Sequence, residues 1–207
     1  MILNTQPKTF VITLMDHPVS LQQSAVCVQS ANKYGWNVEI FSATHGKTIT
    51  QESWDTIGIK PLMDKPGMNK PGTWGCFFSH WRLWNICVTL NEPIVILEHD
   101  AIIHSPWVPL DISNAIVKLH FDRTKDVPHL WVDPLTGQST GSTLAYCILP
   151  EHAVKLINFC KAHGVFAIDR LMGDKVIDIV HMSPTLVEGN PDGHWGGNFI
   201  NSTTENL

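Results

Sequence analysis

Two acids flank a histidine at the end of an apolar run, Ile94-Val95-Ile96-Leu97-Glu98-His99-Asp100. In extended backbone, carboxylates two residues apart point to the same side. Converging like charges repel unless a cation joins them. A hard divalent ion with oxygen ligands would do so and leave positions open for phosphate oxygens. The bland alternative is two solvated carboxylates that close a loop.

The elements around this triplet must place it. The β-branched run 94–97 has no charge and reads as a buried central strand. Pro93 marks its start, where no ladder N–H is needed. Ligands of open α/β sheets sit at the carboxyl ends of such strands. A second strand, 9–14, ends in Met15-Asp16-His17-Pro18. Pro18 opens a helix that runs to about Tyr34, with Gly35 as its stop. Residues 37–41 alternate as a strand, and a turn over 42–47 follows. Residues 48–73 are rich in Pro, Gly and Lys and read as a long loop with one helical turn near 51–57.

Next, Phe77, Trp81, Trp84 and Val88 fall at helical spacing and predict a buried stripe behind a Thr73 N-cap. Ser79 and His80 lie in the first turns, where free N–H groups favour an anion. Equally, both are ordinary hydrogen-bonded core residues. The apolar segment 112–119 reads as helix, 129–132 as strand, 133–141 as a polar loop, and 142–149 as strand. Pro150 starts a helix over 151–162. Residues 166–172 lead into a short helix with Asp169 at its N-cap, a strand covers 176–180, and a glycine-rich tail covers 189–198. No internal repeat or linker is visible. The expected class is α/β, a single domain over 1–207 on a mixed, mostly parallel central sheet.

Composition narrows the function. The 207 residues carry a formal net charge of −5, with 43% hydrophobic and 16% charged residues. That describes a globular chain without a basic field for nucleic acid. Five cysteines without a C-x-x-C pair predict reduced thiols. The amino terminus lacks a basic leader, and no apolar run is long enough to span a bilayer, so a soluble, cytoplasmic protein is expected.

Two motifs together carry a resemblance: Gly75-Cys76-Phe77-Phe78-Ser79-His80, then Leu97-Glu98-His99-Asp100-Ala101. Segments 10–14, 41–47, 145–148 and 168–170 support it in order. The chain resembles glycosyltransferase family 25, the lipooligosaccharide and procollagen galactosyltransferases, over nearly its whole length. The resemblance implies a GT-A-like nucleotide-sugar-binding fold, a UDP-sugar donor, Mn2+ or Mg2+, and inverting transfer of a hexose to a hydroxyl of a glycan, protein or other acceptor. The acidic balance disfavours a nucleic-acid acceptor. A donor half over about 1–102 and an acceptor half over about 103–207 are expected.

By that resemblance Asp100 holds the metal at the terminal position of a DXD-like motif, while Glu98 orients the ion or a ribose hydroxyl. A late histidine, His181 or His194, completes the shell by analogy. Asp169 is the candidate catalytic base, or a helix cap paired with Arg170. Thr13, Leu14, Asp16, Ala43, Thr44, Gly75, Ser79, His80 and His99 are counted with the donor site. His99 stands where the family commonly has Asp, and Thr44-His45 where it usually carries one. These departures motivate an alternative: a catalytically weakened relative that binds sugar nucleotides or glycans. A His-rich metallohydrolase ranks last, because H-x-H and H-x-x-x-H patterns are missing.

Overall fold

The computed structural model describes residues 1–120, 131–139 and 141–190. In chain order the strands are β1 (Ile2–Leu3), β2 (Lys8–Thr13), β3 (Val38–Ser42), β4 (Ile94–Glu98), β5 (Ala101–Ile103), β6 (Leu110–Asp111), β7 (Ile116–Lys118), β8 (Trp131–Asp133), β9 (Gly137–Ser139), β10 (Ala145–Ile148), β11 (Ile179–His181) and β12 (Val187–Gly189). The α-helices are α1 (Pro18–Lys33), α2 (Gln51–Ile57), α3 (Pro71–Leu90), α4 (Pro150–His163) and α5 (Ile168–Leu171).

Six strands form the central sheet in the order β11-β7-β10-β4-β2-β3. Strands β3, β2 and β4 run parallel, β10 is antiparallel to β4 and β7, and β11 is parallel to β7. This is the mixed α/β architecture expected. Strand β4 is paired on both edges, and Ile94 to Leu97 are fully buried, as a chargeless run requires. Its side chains split between two cores. Ile94 and Ile96 pack with Phe77, Trp84 and Leu156 of α3 and α4, while Val95 and Leu97 pack with Cys27 and Ala31 of α1.

The α3 stripe is present. Phe77, Trp81 and Trp84 are buried, and Trp54 of α2 stacks on Phe77 with ring centroids 5.6 Å apart. The helix begins earlier than expected. Lys70 is its N-cap and Pro71 occupies the first turn, where its fixed φ suits a helix start. Thr73 is therefore inside the helix.

Other boundaries differ for physical reasons. The segment read as helix at 112–119 contains β7, whose three residues are all buried. With both faces covered, neither period shows. The polar loop over 133–141 contains Asp133 at the end of β8 and all of β9, which pair as a hairpin. Strand β10 starts late because Ser142 and Gly141 have positive φ. Asp169 lies in the first turn of α5, whose N-cap is Ala167. Strand β11 begins at Ile179, beyond a turn containing Val176, and β12 ends at Gly189, the first residue of the glycine-rich tail. His129, Leu130, His194 and the remainder of the tail lie outside the described residues.

The loop after β3 docks on the first turns of α3 through two glycines. A Cβ on Gly75 would stand 2.7 Å from the Thr44 carbonyl oxygen and 2.9 Å from the Gly46 amide nitrogen. Gly75→Ala should destabilise the fold by about 1–3 kcal/mol, the usual cost of overpacking against backbone that cannot rotate away. Chemical denaturation checks this, and an unchanged midpoint would mean the loop yields freely.

Candidate active site

The parallel strands β2, β3 and β4 end together at one edge, and the segments leaving them make the site's floor. Thr13 is fully buried at the end of β2, and its carbonyl accepts the Ala43 N–H at 2.9 Å. The Leu14 N–H donates to Ser20 Oγ at 2.9 Å. Asp16 is exposed, and its carboxylate lies 3.8 Å from His45 Nε2. His17 caps α1 by accepting the Ser20 N–H. Thr44 is clamped from α3: its N–H donates to Ser79 Oγ at 2.9 Å, and Arg82 donates to its hydroxyl at 3.2 Å. Ser79 in turn donates to the Gly75 carbonyl at 2.7 Å. Its hydroxyl thus ties the loop after β3 to the helix.

Strand β4 stops at Glu98, and His99-Asp100 form a turn before β5. The extended spacing expected for the two carboxylates therefore does not hold. Glu98 keeps the face of Ile94 and Ile96 and looks at α3, while the Asp100 charge reaches Cys27 of α1, on the opposite core. Asp100 is buried at 7% exposure, and Asn190 donates its N–H to the Asp100 carbonyl at 2.8 Å.

Glu98 sits in a built polar environment. Thr143 Oγ1 donates to Glu98 Oε1, and His80 Nε2 is 3.7 Å from the same oxygen. Burial works against the charged form of Glu98, but His80, Thr143 and, more weakly, His99 outweigh it and hold the carboxyl below its ordinary range. Behind His80, its Nδ1 and the Tyr146 hydroxyl are 2.8 Å apart, and Trp84 Nε1–H donates to the same hydroxyl at 2.9 Å. Cys76 stands one helical turn before His80. Its thiol is pushed well up by burial and by the charges of Glu98 and Asp169.

Asp169 joins this group from α5. Burial pushes its carboxyl up, Arg170 pulls it down, and the Glu98 charge pushes it up again, with a net rise. Two carboxylates whose surroundings drive them apart are the usual arrangement for divided acid–base roles. Lys118 of β7 is fully buried and donates to the Gly141 carbonyl. Burial pushes it down to about 8, against the pull of Asp169 and Glu98. His181 pairs with Lys118 across β7 and β11. Burial lowers it, and the Lys118 charge lowers it further. His181 is outside the set of mutually close ligand atoms formed by Cys76, His80 and Glu98.

The sequence places Cys76 in a family motif and Tyr146 in a supporting segment without giving either a role, and it singles out neither Thr143 nor Lys118. The four-residue spacing of Cys76 and His80 was a usable signal for two side chains on one helix face. Nothing local marked Lys118 as buried, because lysines are rarely so.

With the geometry in place, comparison with known proteins assigns the family. The model of glycosyltransferase family 25 (LPS biosynthesis protein) matches residues 6–114. A glycosyltransferase 25 family member of Aedes aegypti is 31% identical over 191 residues, 82% of this chain and 30% of that protein. The chain belongs to glycosyltransferase family 25. A family 25 member of Anopheles gambiae is 23% identical over 82% of this chain and 30% of its own length. The chain thus spans about 30% of the length of these relatives. A glycosyltransferase involved in the glycosylation of the major capsid of PBCV-1 aligns with a TM-score of 0.37 at 10% identity, over 73% of this chain and 66% of its own, a likeness too slight to carry weight.

The family match ends at residue 114, so it takes in both motifs but not Lys118, Thr143, Tyr146 or Asp169. Lys118 can be tested through stability. Its folded proton affinity is lowered, so between about pH 8 and 10.5 the unfolded chain holds more protons than the folded one. Stability from this group rises with pH across that window. The stability of wild type relative to Lys118→Met should therefore increase from pH 8 to 10.5 in urea denaturation. A constant difference would show that Lys118 keeps its proton on folding.

Proposed function

We propose that the chain is the donor-binding and catalytic part of an inverting hexosyltransferase. It moves a hexose from a UDP-sugar to a hydroxyl group of a glycan or protein acceptor. The observation that carries this reading is the pair Glu98 and Asp169: a carboxylate held ionised and one pushed upward, both bearing on Cys76 and Lys118 at the end of the central strands.

Thr13 at the end of β2, Leu14 and Asp16 after it, and Ala43 and Thr44 after β3 provide a ledge for uridine beside the closely packed Gly75. Asp169 takes the proton of the acceptor hydroxyl as its oxygen attacks the anomeric carbon. The new glycosidic C–O bond forms on one face while the bond to the diphosphate breaks on the other, which inverts the centre. Asp169 then returns the proton to solvent. Its raised proton affinity suits it to accepting a proton.

The leaving diphosphate gathers negative charge, which Mn2+ or Mg2+ would offset. Such ions favour oxygen ligands. Asp100 offers a carboxylate at the β4–β5 turn and would hold the ion, which would supply charge compensation for the diphosphate. Glu98 faces the other core and is better suited to the polar network with Thr143 and His80. His181, beside Lys118, has a poor location for a further cation ligand.

The test is release of UDP from UDP-hexose by the chain with acceptor and Mn2+. Asp169→Asn should lower kcat by about 10²–10⁴-fold, the range for removal of a general base, with UDP affinity kept. Asp100→Ala should remove the manganese-dependent part of turnover without unfolding the chain. Full activity in either variant would refute its assigned role. UDP binding without turnover in the wild type would instead support a sugar-nucleotide-binding module.

A further inference from the structure

One cluster is not used by the transfer mechanism. A sulfur of Cys76, a ring nitrogen of His80 and a carboxylate oxygen of Glu98 all lie within 4.8 Å of one another. His80 Nε2 is buried, makes no hydrogen bond, and points to Glu98 Oε1 across 3.7 Å. That gap is too wide for a hydrogen bond. It is near the roughly 3.3–3.6 Å nitrogen–oxygen edge of a tetrahedron built from zinc bonds of about 2.0–2.2 Å to those atoms.

We propose that Cys76, His80 and Glu98 form a binding site for a zinc-class divalent cation, separate from an ion at Asp100. Cys76 and His80 project from one face of α3 a single turn apart, the spacing that lets two helical side chains share an ion. Glu98 comes from the end of β4 and is oriented by the Thr143 hydroxyl. The nitrogen of His80 turned away from the cluster meets the Tyr146 hydroxyl at 2.8 Å, and Trp84 fixes that hydroxyl in turn. An outer hydrogen bond of this kind holds a ligating imidazole in orientation, with Nδ1–H donating to the tyrosine oxygen and the Nε2 lone pair facing the ion.

The donor set selects the ion. Thiolate, imidazole and carboxylate suit zinc, whereas manganese and magnesium favour oxygen alone. Binding forms a sulfur–metal bond and breaks the Cys76 S–H bond, with the proton released to solvent. The thiolate and the Glu98 carboxylate together balance a dication, so the occupied pocket carries no net charge from its ligands. Three protein ligands leave a fourth position open for water or another small oxygen donor.

Cobalt provides the test, because its absorption reports the ligand atoms directly and does not depend on turnover. The chain, stripped with a chelator, should bind Co2+ with a sulfur-to-cobalt charge-transfer band and tetrahedral visible bands. Zn2+ should displace the cobalt. Cys76→Ser should lose the sulfur band, while Asp100→Ala should keep it even if transfer is abolished. A wild-type titration without any sulfur band overturns the site with no variant needed. A sulfur band that survives in folded Cys76→Ser overturns it too, since another cysteine would then be the ligand.

Discussion

Placing a carboxylate at the end of an otherwise apolar strand is the constraint on which the rest depends. Strand β4 has no polar side chain before Glu98 and no free edge. Charge taken out of water is costly unless hydrogen bonds and opposite charge offset it. Each neighbour answers that cost: the Thr143 hydroxyl, the His80 ring, and Lys118 across the sheet. His80 itself is buried and draws its support from Tyr146 and Trp84. The aromatic density of α3 thus serves the polar site as well as the core, because one indole N–H orients the tyrosine next to the histidine.

Close backbone approach is the second constraint. Gly46 and Gly75 let the loop after β3 lie directly on α3; a Cβ at Gly46 would overlap the Pro71 carbonyl. The Ser79 hydroxyl then bridges the two segments. Ser79 therefore acts on Thr44 by holding the loop in place.

Much of this was legible in the residues. A chargeless β-branched run bounded by Pro93 could hardly be other than an interior strand, and the aromatic stripe fixed one face of α3. The family motifs are local and read directly. What could not be read depended on direction. Two acids flanking a histidine look convergent until the turn at His99-Asp100 sends one carboxylate toward α1. Strand β7 was hidden because burial on both faces erases the alternation that distinguishes strand from helix. Lys118 lies inside that same segment, so its proximity to Glu98 and Asp169 was hidden with it. The roles of Thr143 and Tyr146 could not be read locally, since their partners lie 45 and 66 residues away.

The reversed direction of β10 has a topological consequence. Because it runs against β4, its entry lies beside its neighbour's exit. Tyr146 and Thr143 are thus delivered to the pocket from the amino-terminal side of an element, whereas Glu98 arrives from a carboxyl-terminal one. The chain is stitched across its own midpoint there, and a cut near residue 102 would separate the acid from its hydroxyl and the imidazole from its phenol. The two halves of the chain are in that sense a single interdigitated body, with the seam running through the polar cluster.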